Sequence, residues 1–329
     1  MRLGRSQTDI LYIYTGEIYD IMNLQQLQYI IAVDNYRNFA RAAEKCFVTQ
    51  PTLSMMIKKL ESEHDIIIFD RTRQPVVPTE IGKQIIQQAR VILNETKVLD
   101  EILSEYKNTI TGDLSVGIIP TLSPYLVPLF INSFTSKYKN VNLTIAEQTT
   151  EVLIDMLHKS SIDVAILVTP LNDPSITEIP MFYEEFFIYQ SANSNKQILN
   201  PEDIDPNELW LLEEGHCLRS QIMNLCDLKK ANNMNFIFKT GSLETLKQLV
   251  DSYRGITIMP ELATLNFSEK EQKRLIRFRP PAPVREVSLA LHRNYVKKRL
   301  IDALKSVVIE NIPKELVERN DFRKIEING

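Results

Sequence analysis

Residues 39–61 read FARAAEKCFVTQPTLSMMIKKLE, and two helical segments meet in this stretch across a break. Ala40, Ala42, Ala43 and Phe47 belong to a short alanine-rich helix. Val48-Thr49-Gln50-Pro51 interrupts it. Thr49 has the hydroxyl of an N-cap, and Pro51 stands near a helix start, where a missing N–H does no harm. Leu53, Ile57 and Leu60 then line one face of a second helix, while Thr52, Ser54, Met55 and Lys58 share the other. Upstream, Leu24, Leu27, Ile30, Ile31 and Val33 recur near helical spacing. A short helix, a tight turn and a second helix with a polar face make a helix-turn-helix. Downstream, Ile66–Phe69 and Val76–Pro78 flank Arg71-Thr72-Arg73-Gln74-Pro75. This is a hairpin with two arginines at its tip, a wing suited to phosphate or minor-groove contact.

Charge supports the same reading locally and not globally. The 329-residue chain carries a net charge of −4, so it is no general polyanion binder. Residues 37–59 nevertheless hold Arg37, Arg41, Lys45, Lys58 and Lys59 against Glu44 alone. A local basic face binds phosphate even when the total is acidic, although a solvated helix face accounts for such a run as well.

FARAAEKCFVTQPTLSMMIKKLE followed by FDRTRQPVVPTEIG resembles the winged helix-turn-helix of LysR-type transcriptional regulators. The resemblance implies a partner, double-stranded DNA, with Thr49, Gln50, Pro51, Thr52, Ser54 and Lys58 facing the major groove and Arg71 and Arg73 on the wing. It places the DNA-binding domain at residues 22–80. Residues 1–21 show no clean period and read as an extension outside the fold, an upstream start, or a short added element.

Thr79 to Lys107 reads as one helix, with apolar residues at Ile81, Ile85, Ala89, Ile92, Leu99, Leu103 and Tyr106 and Thr96 filling one slot. Steps of three and four are the seam of a coiled coil. At ~1.5 Å per residue such a helix spans roughly 43 Å, and its stripe wants a partner, most simply its own copy. LysR-type proteins dimerise through this helix, so the resemblance implies a homodimer or homotetramer, with RNA polymerase as a further partner.

Beyond a hinge at 108–112, strands and helices alternate. Strands are expected at Leu114–Ile119, Val141–Glu147, Val164–Val168, Phe186–Gln190, Trp210–Leu212, Phe236–Lys239, Ile256–Met259 and Val287–Leu291. Helices are expected at Ser123–Tyr138, Val152–His158, Leu218 to Ala231, Leu243–Ser252 and Lys297–Ile309. Alternation predicts an α/β fold with mainly parallel sheets. Two runs of such units predict two subdomains with a ligand-binding crevice between them. The first takes about 113–182 and 285–312 and the second about 183–284, within a regulatory domain of 113–312. Effector domains of the LysR type resemble type 2 periplasmic binding proteins in this way. Residues 313–329 are charge-rich and read as a loose tail.

Several chemistries are excluded. Nine scattered glycines form neither GxGxxG nor a phosphate loop, and four histidines show no metal-ligand spacing, so no cofactor and no metal is expected. No run of 18 apolar residues crosses a membrane, and no secretory signal opens the chain, so a cytoplasmic location is expected.

Three cysteines occur. Cys46 reads as a small core residue. Cys217, in Gly215-His216-Cys217-Leu218-Arg219, stands where a loop turns into a helix. The helix's positive end, His216 and Arg219 are conditions that lower a thiol's pKa. Cys226 shares a face with Ile222 and reads as buried. If both cysteines lay in one helix, nine residues would separate them by roughly 13 Å. A disulfide needs less than about 7 Å. Either the bridge never forms or its formation unwinds the helix; two unrelated core cysteines remain the plain alternative.

LLEEGHCLRSQIMNLC, with SLETL, GITIMP and GIIPT, resembles the hydrogen-peroxide-sensing members of the LysR family from Met22 to about Ile309. What the resemblance implies is a transcription regulator rather than an enzyme. Cys217 is its peroxidatic cysteine and Cys226 the resolving one, with Thr121, Thr150, His216 and Arg293 in the peroxide pocket and a cellular thiol as the resetting partner. One departure is Ser220, where the family commonly has Asp. A regulator gated by an organic effector in the crevice, and a thiol peroxidase, are the competing readings. The helix-turn-helix argues against the last.

Overall fold

The computed structural model describes residues 22–106, 110–191, 200–226, 240–293, 295, 298–319, 322–325 and 327. The chain divides into two compact units at Leu99/Asp100. Residues 1–21, the expected strand Phe236–Lys239 and the end of the expected helix to Ala231 lie outside the described residues.

The first unit is built on three helices: α1 (Leu24–Tyr36), α2 (Phe39–Lys45) and α3 (Gln50–Glu63). Asn23 opens α1 with a reciprocal capping box to Gln26. Thr49 caps α3, its hydroxyl accepting from the N–H of Thr52, and Pro51 occupies the first turn, where it removes no bond. Ile30, Val33, Ala42, Leu53, Ile57 and Leu60 form the core. β1 (Phe69–Asp70) and β2 (Val77–Pro78) pair antiparallel as the wing. α4 (Glu80–Tyr106) follows, with the Thr79 hydroxyl accepting from Gly82 N–H and donating to the Ile67 carbonyl. Gly82 is required there, because a Cβ would stand 2.1 Å from the Ile68 carbonyl oxygen. Ile86 buries against the three-helix core, Ala89 is buried too, and Arg90 reaches back to Asp34 at 2.8 Å. Further along α4, Leu99, Ile102 and Leu103 are exposed.

The second unit holds β3 (Gly112–Ile118), α5 (Ser123–Lys137), β4 (Val141–Glu147), α6 (Thr150–His158), β5 (Val164–Thr169) and β6 (Ile176–Gln190). Then come β7 (Leu209–Trp210), α7 (Cys217–Leu225), α8 (Leu243–Ser252), β8 (Ile256–Pro260), α9 (Glu261–Thr264), α10 (Glu269–Gln272) and β9 (Leu275–Arg277). β10 (Ala282–His292), α11 (Lys298–Asn311), α12 (Lys314–Val317) and β11 (Phe322–Lys324) complete it. The strand order is β4-β3-β5-β10-β6-β8-β7, with β9 on β6 and β11 on β10.

β3 pairs parallel with β4 and β5, and β7 with β8, as the alternation predicts. The long β6 and β10 correct the expectation of mainly parallel sheets: they pair antiparallel with each other, β10 with β5, and β6 with β8. The first half of β6 and the start of β10 carry no strand pattern in the sequence because polar and charged residues interrupt them. Two cores result. One lies around Phe130, Phe134, Ile166 and Leu304, the other around Phe186, Ile222, Val250 and Ile258. β6 supplies Phe182 to the first and Phe186 to the second, so this long strand is shared by the two cores.

The tail is a second correction. Expected loose, it forms α12 and then β11, which adds parallel to β10 with Ala282 opposite Phe322 and Val284 opposite Lys324. β10 runs past the end of β5, and there it takes its partner from a segment whose charges are paired: Lys324 contacts Glu286 at 2.7 Å, and Arg319 contacts Glu185 at 3.0 Å and Glu261 at 2.6 Å.

Candidate functional site

Four elements bring their ends to one spot in the second unit. Thr121 lies in the turn after β3, and Thr150 opens α6 immediately after β4. Both thus sit beyond the carboxyl ends of neighbouring parallel strands, where α/β folds bind ligands. His216 and Cys217 stand at the start of α7, and Arg285 projects from β10.

Cys217 is the first residue of α7. His216 is its N-cap, but its side chain makes no capping bond. The backbone N–H groups of Cys217 and Leu218 favour the charged sulfur instead, so the sulfur takes the place of a cap. The sulfur is also displaced from its helix's own core: Leu218, Ile222 and Leu225 pack in the second core, whereas Cys217 is buried in the first. Burial raises the Cys217 thiol, and Arg285, the Thr150 hydroxyl and the two N–H groups pull the other way. The expectation of an acidic thiol is thereby corrected: desolvation is the largest influence. His216 is likewise buried and pushed down by burial, with Glu213 and Glu147 opposing, so it supplies no fixed positive charge. Gly241 admits the ring, since a Cβ there would meet His216 Nε2 at 2.8 Å. Arg219 turns away and donates to the Leu212 carbonyl at 2.8 Å.

The pocket arginine is Arg285. It is fully buried, donates to Thr121 Oγ1 at 3.0 Å and to the Thr121 carbonyl at 3.2 Å, and pairs with the equally buried Glu184 at 2.6 Å. Glu184 is raised by burial and held down by Arg285 and by the N–H of Leu262, which donates to it at 3.1 Å. Arg293, assigned to the pocket from sequence, is exposed beyond the other end of β10 and does not join the site. Eight residues of strand separate the two, roughly 26 Å. A lone arginine in the otherwise buried run Val284–Leu291 was the signal that could have found Arg285: such a charge needs a buried partner. The hydroxyl of Thr150 is buried without a well-aligned hydrogen-bond partner and stands against the Cys217 sulfur. Ser220 is exposed.

Cys226 is the C-cap of the same helix, and all three cysteines are free thiols. Burial, reinforced by Glu202, pushes its thiol up to about 12. The α7 rise alone separates Cys217 from Cys226 by roughly 13 Å.

In the first unit, Thr49, Gln50, Pro51, Thr52 and Lys58 are exposed along the start and one face of α3, with Ser54 half-buried among them. Arg73 is exposed at the wing tip, 3.2 Å from Asp70. Arg71 is different. It donates to Ser54 at 3.0 Å, pairs with Glu61 at 2.8 Å and lies 4.8 Å over the Phe39 ring. It therefore ties the wing to α3 rather than extending freely.

Residues 24–83 match the bacterial regulatory helix-turn-helix protein of the LysR family, and residues 107–312 match the LysR substrate binding domain. A hydrogen peroxide-inducible genes activator of Haemophilus influenzae is 33% identical over 294 residues, 88% of this chain and 97% of that protein. The chain belongs to the OxyR family of LysR-type transcription regulators. The DNA-binding transcriptional dual regulator OxyR of Escherichia coli is 36% identical over 245 residues, covering 74% of this chain and 80% of that one. Among solved structures, a full-length OxyR from Pseudomonas aeruginosa, carrying a cysteine-to-aspartate substitution, superposes with a TM-score of 0.76. It is 29% identical and covers 91% of this chain and 99% of that one. The helix-turn-helix and the α/β effector domain of the OxyR type are thus both present, joined through α4.

Proposed function

We propose that this chain is a hydrogen-peroxide-responsive regulator that binds double-stranded DNA and is switched by an intramolecular Cys217–Cys226 disulfide. One observation carries the reading: a thiol held at a helix N-terminus beside Arg285, Thr121 and Thr150, with a second thiol at the other end of that helix.

The chemistry runs as follows. The Cys217 thiolate attacks one oxygen of H₂O₂, forming an S–O bond and breaking the O–O bond. Cys217 becomes a sulfenic acid and hydroxide leaves, taking up a proton to become water. Thr121 Oγ1 accepts from Arg285, so its own hydrogen remains to hold the peroxide. Thr150 offers a second hydroxyl, and the guanidinium stabilises charge on the leaving oxygen. The Cys226 sulfur then displaces hydroxide from the Cys217 sulfenic acid, giving the disulfide and a second water. The bridge needs its Cα atoms within about 7 Å, so α7 must unwind. A cellular dithiol resets the protein, itself becoming oxidised. One peroxide is consumed per switch, as suits a signal rather than a substrate.

Exposed Leu99, Ile102 and Leu103 on α4 fit a homodimer seam, with a homotetramer as a further assembly. Remodelling of α7 then re-spaces the paired helix-turn-helix units on half-sites about one helical turn apart or multiples of it, and alters contact with RNA polymerase. Such a thiol switch suits the reducing cytoplasm.

The test is peptide mapping by mass spectrometry after brief exposure to one equivalent of H₂O₂. A 217–226 bridge is expected. Two free thiols after that exposure would overturn the reading and leave a regulator gated by some other ligand.

A further inference from the structure

We propose that residues 322–325 and 327 of the C-terminal segment are a strap that holds α7 wound, making the tail a redox-gated latch. The proposal rests on the disulfide switch above and lies beyond residue 312, where the match to the LysR substrate binding domain ends.

The strap joins two parts of the site. On one side, β11 adds to β10 next to Arg285, and the N–H of Ile325 donates to the Val284 carbonyl at 2.8 Å. Phe322 stacks on Tyr183 with ring centroids 4.5 Å apart, and Lys324 pairs with Glu286. On the other side, two side chains of α7 reach the tail backbone. Gln221 Nε2 donates to the Ile325 carbonyl at 2.7 Å, and Asn224 Nδ2 donates to the Ile327 carbonyl at 3.1 Å. Gln221 is fully buried, and Ile325 packs in the second core with Leu218, Ile222 and Leu225.

Both donors stand between the two cysteines and three residues apart, hence on one helix face. They meet the carbonyls of Ile325 and Ile327 only while that stretch is helical. Bringing Cys217 to Cys226 destroys the spacing and opens the Ile325 seat at the same moment. The strap is therefore a contact made in one state and absent from the other, which is what biases a two-state element. It favours the reduced form and sets how strongly oxidising the surroundings must be before the bridge persists. Oxidation should in turn release the tail.

The full-length protein is compared with a variant ending at Arg319, which keeps the Arg319 ion pairs, and with Asn224→Ala, which removes one strap bond and leaves the fold. Each is equilibrated in glutathione buffers and the bridged fraction is read by mass spectrometry. The truncated chain is expected to reach half oxidation at a [GSH]²/[GSSG] ratio about tenfold higher than the full chain, and Asn224→Ala at one several-fold higher. In the full chain, trypsin should cut after Arg323 and Lys324 faster in the oxidised than in the reduced form. A bridge that forms with equal midpoints in all three chains and unchanged tryptic rates would overturn the strap alone. If the truncated chain does not fold, an unshifted Asn224→Ala midpoint does the same. No bridge at any ratio in the full chain would overturn the switch itself, and the strap with it.

Discussion

Arg285 Nη1 donates to Thr121 Oγ1 at 3.0 Å, and neither side chain meets solvent. The pair joins the turn after β3 to a strand 164 residues away, and Glu184 on β6 completes it. Removing the arginine leaves a buried, unpaired carboxylate, a loss of about 3–5 kcal/mol. Arg285→Met is therefore expected to lower stability by that amount in chemical denaturation and to slow the reaction of Cys217 with peroxide. Adding Glu184→Gln should restore most of the stability and none of the reactivity. Recovery of both together would show that Arg285 acts only as a structural partner.

The acid–base state of the two thiols gives a signed pH dependence. Burial holds Cys217 above its ordinary value and pushes Cys226 to about 12, so both are protonated in the reduced protein near neutrality. Only the thiolate attacks, and its fraction below the pKa rises about tenfold per pH unit. Stopped-flow oxidation of the reduced protein should accelerate from pH 6 to pH 8 without a plateau. A rate independent of pH across that interval would mean that the sulfur is already ionised and that the burial argument fails.

The division of labour between the cysteines is testable by trapping. Cys226→Ser leaves the Cys217 sulfenic acid without its intramolecular partner, so a dimedone adduct on Cys217 is expected to accumulate after peroxide, with little in the parent chain. Cys217→Ser should abolish both adduct and bridge and leave DNA binding intact, because α3 and the wing lie in the other unit. Dimedone labelling of Cys226 in the Cys217→Ser chain would reverse the assignment.

Local signals are legible in the sequence and long-range pairing is not. Thr49 and Pro51 mark the start of α3 within four residues, and the GHC segment marks the start of α7, because caps and turns are decided by neighbours. The sequence points to Arg293 rather than Arg285 because the choice depends on which part of β10 lies beside Glu184. Strand pairing decides that, and periodicity does not. The tail's charge suggests a loose segment, yet Lys324 and Arg319 find Glu286, Glu185 and Glu261 on strands and a helix remote in sequence. The thiol's environment escapes the sequence for the same reason: the helix end is local, while the burial comes from another lobe's core.

The wing separates two arginines that sequence treats alike. Arg73 is 71% exposed at the tip, whereas Arg71 is engaged with Ser54, Glu61 and Phe39. Arg73→Ala and Lys58→Ala should each weaken DNA binding almost uniformly across sequences and reduce the slope of log K against log salt by about 1. Arg71→Ala should instead lower the thermal stability of the DNA-binding unit, by roughly 1–3 kcal/mol for the charged hydrogen bond that Glu61 loses, its other oxygen still accepting from the N–H groups of Ile68 and Phe69. A salt slope reduced as much by Arg71→Ala as by Arg73→Ala, at unchanged stability, would make Arg71 a phosphate contact after all.

The α4 seam gives the last expectation. Leu99 and Leu103 lie one turn apart and are 60% and 54% exposed, so neither substitution creates a cavity within the chain. Burying such a pair against a second copy contributes about 1.5–3 kcal/mol per leucine. Leu99→Asp combined with Leu103→Asp is expected to give a folded monomer by analytical ultracentrifugation. That monomer should bind a single half-site weakly, because the second helix-turn-helix no longer adds its effective concentration, a factor of roughly 10²–10⁴. A variant that stays dimeric with unchanged operator affinity would move the interface off this helix, and the stripe on α4 would then need another partner.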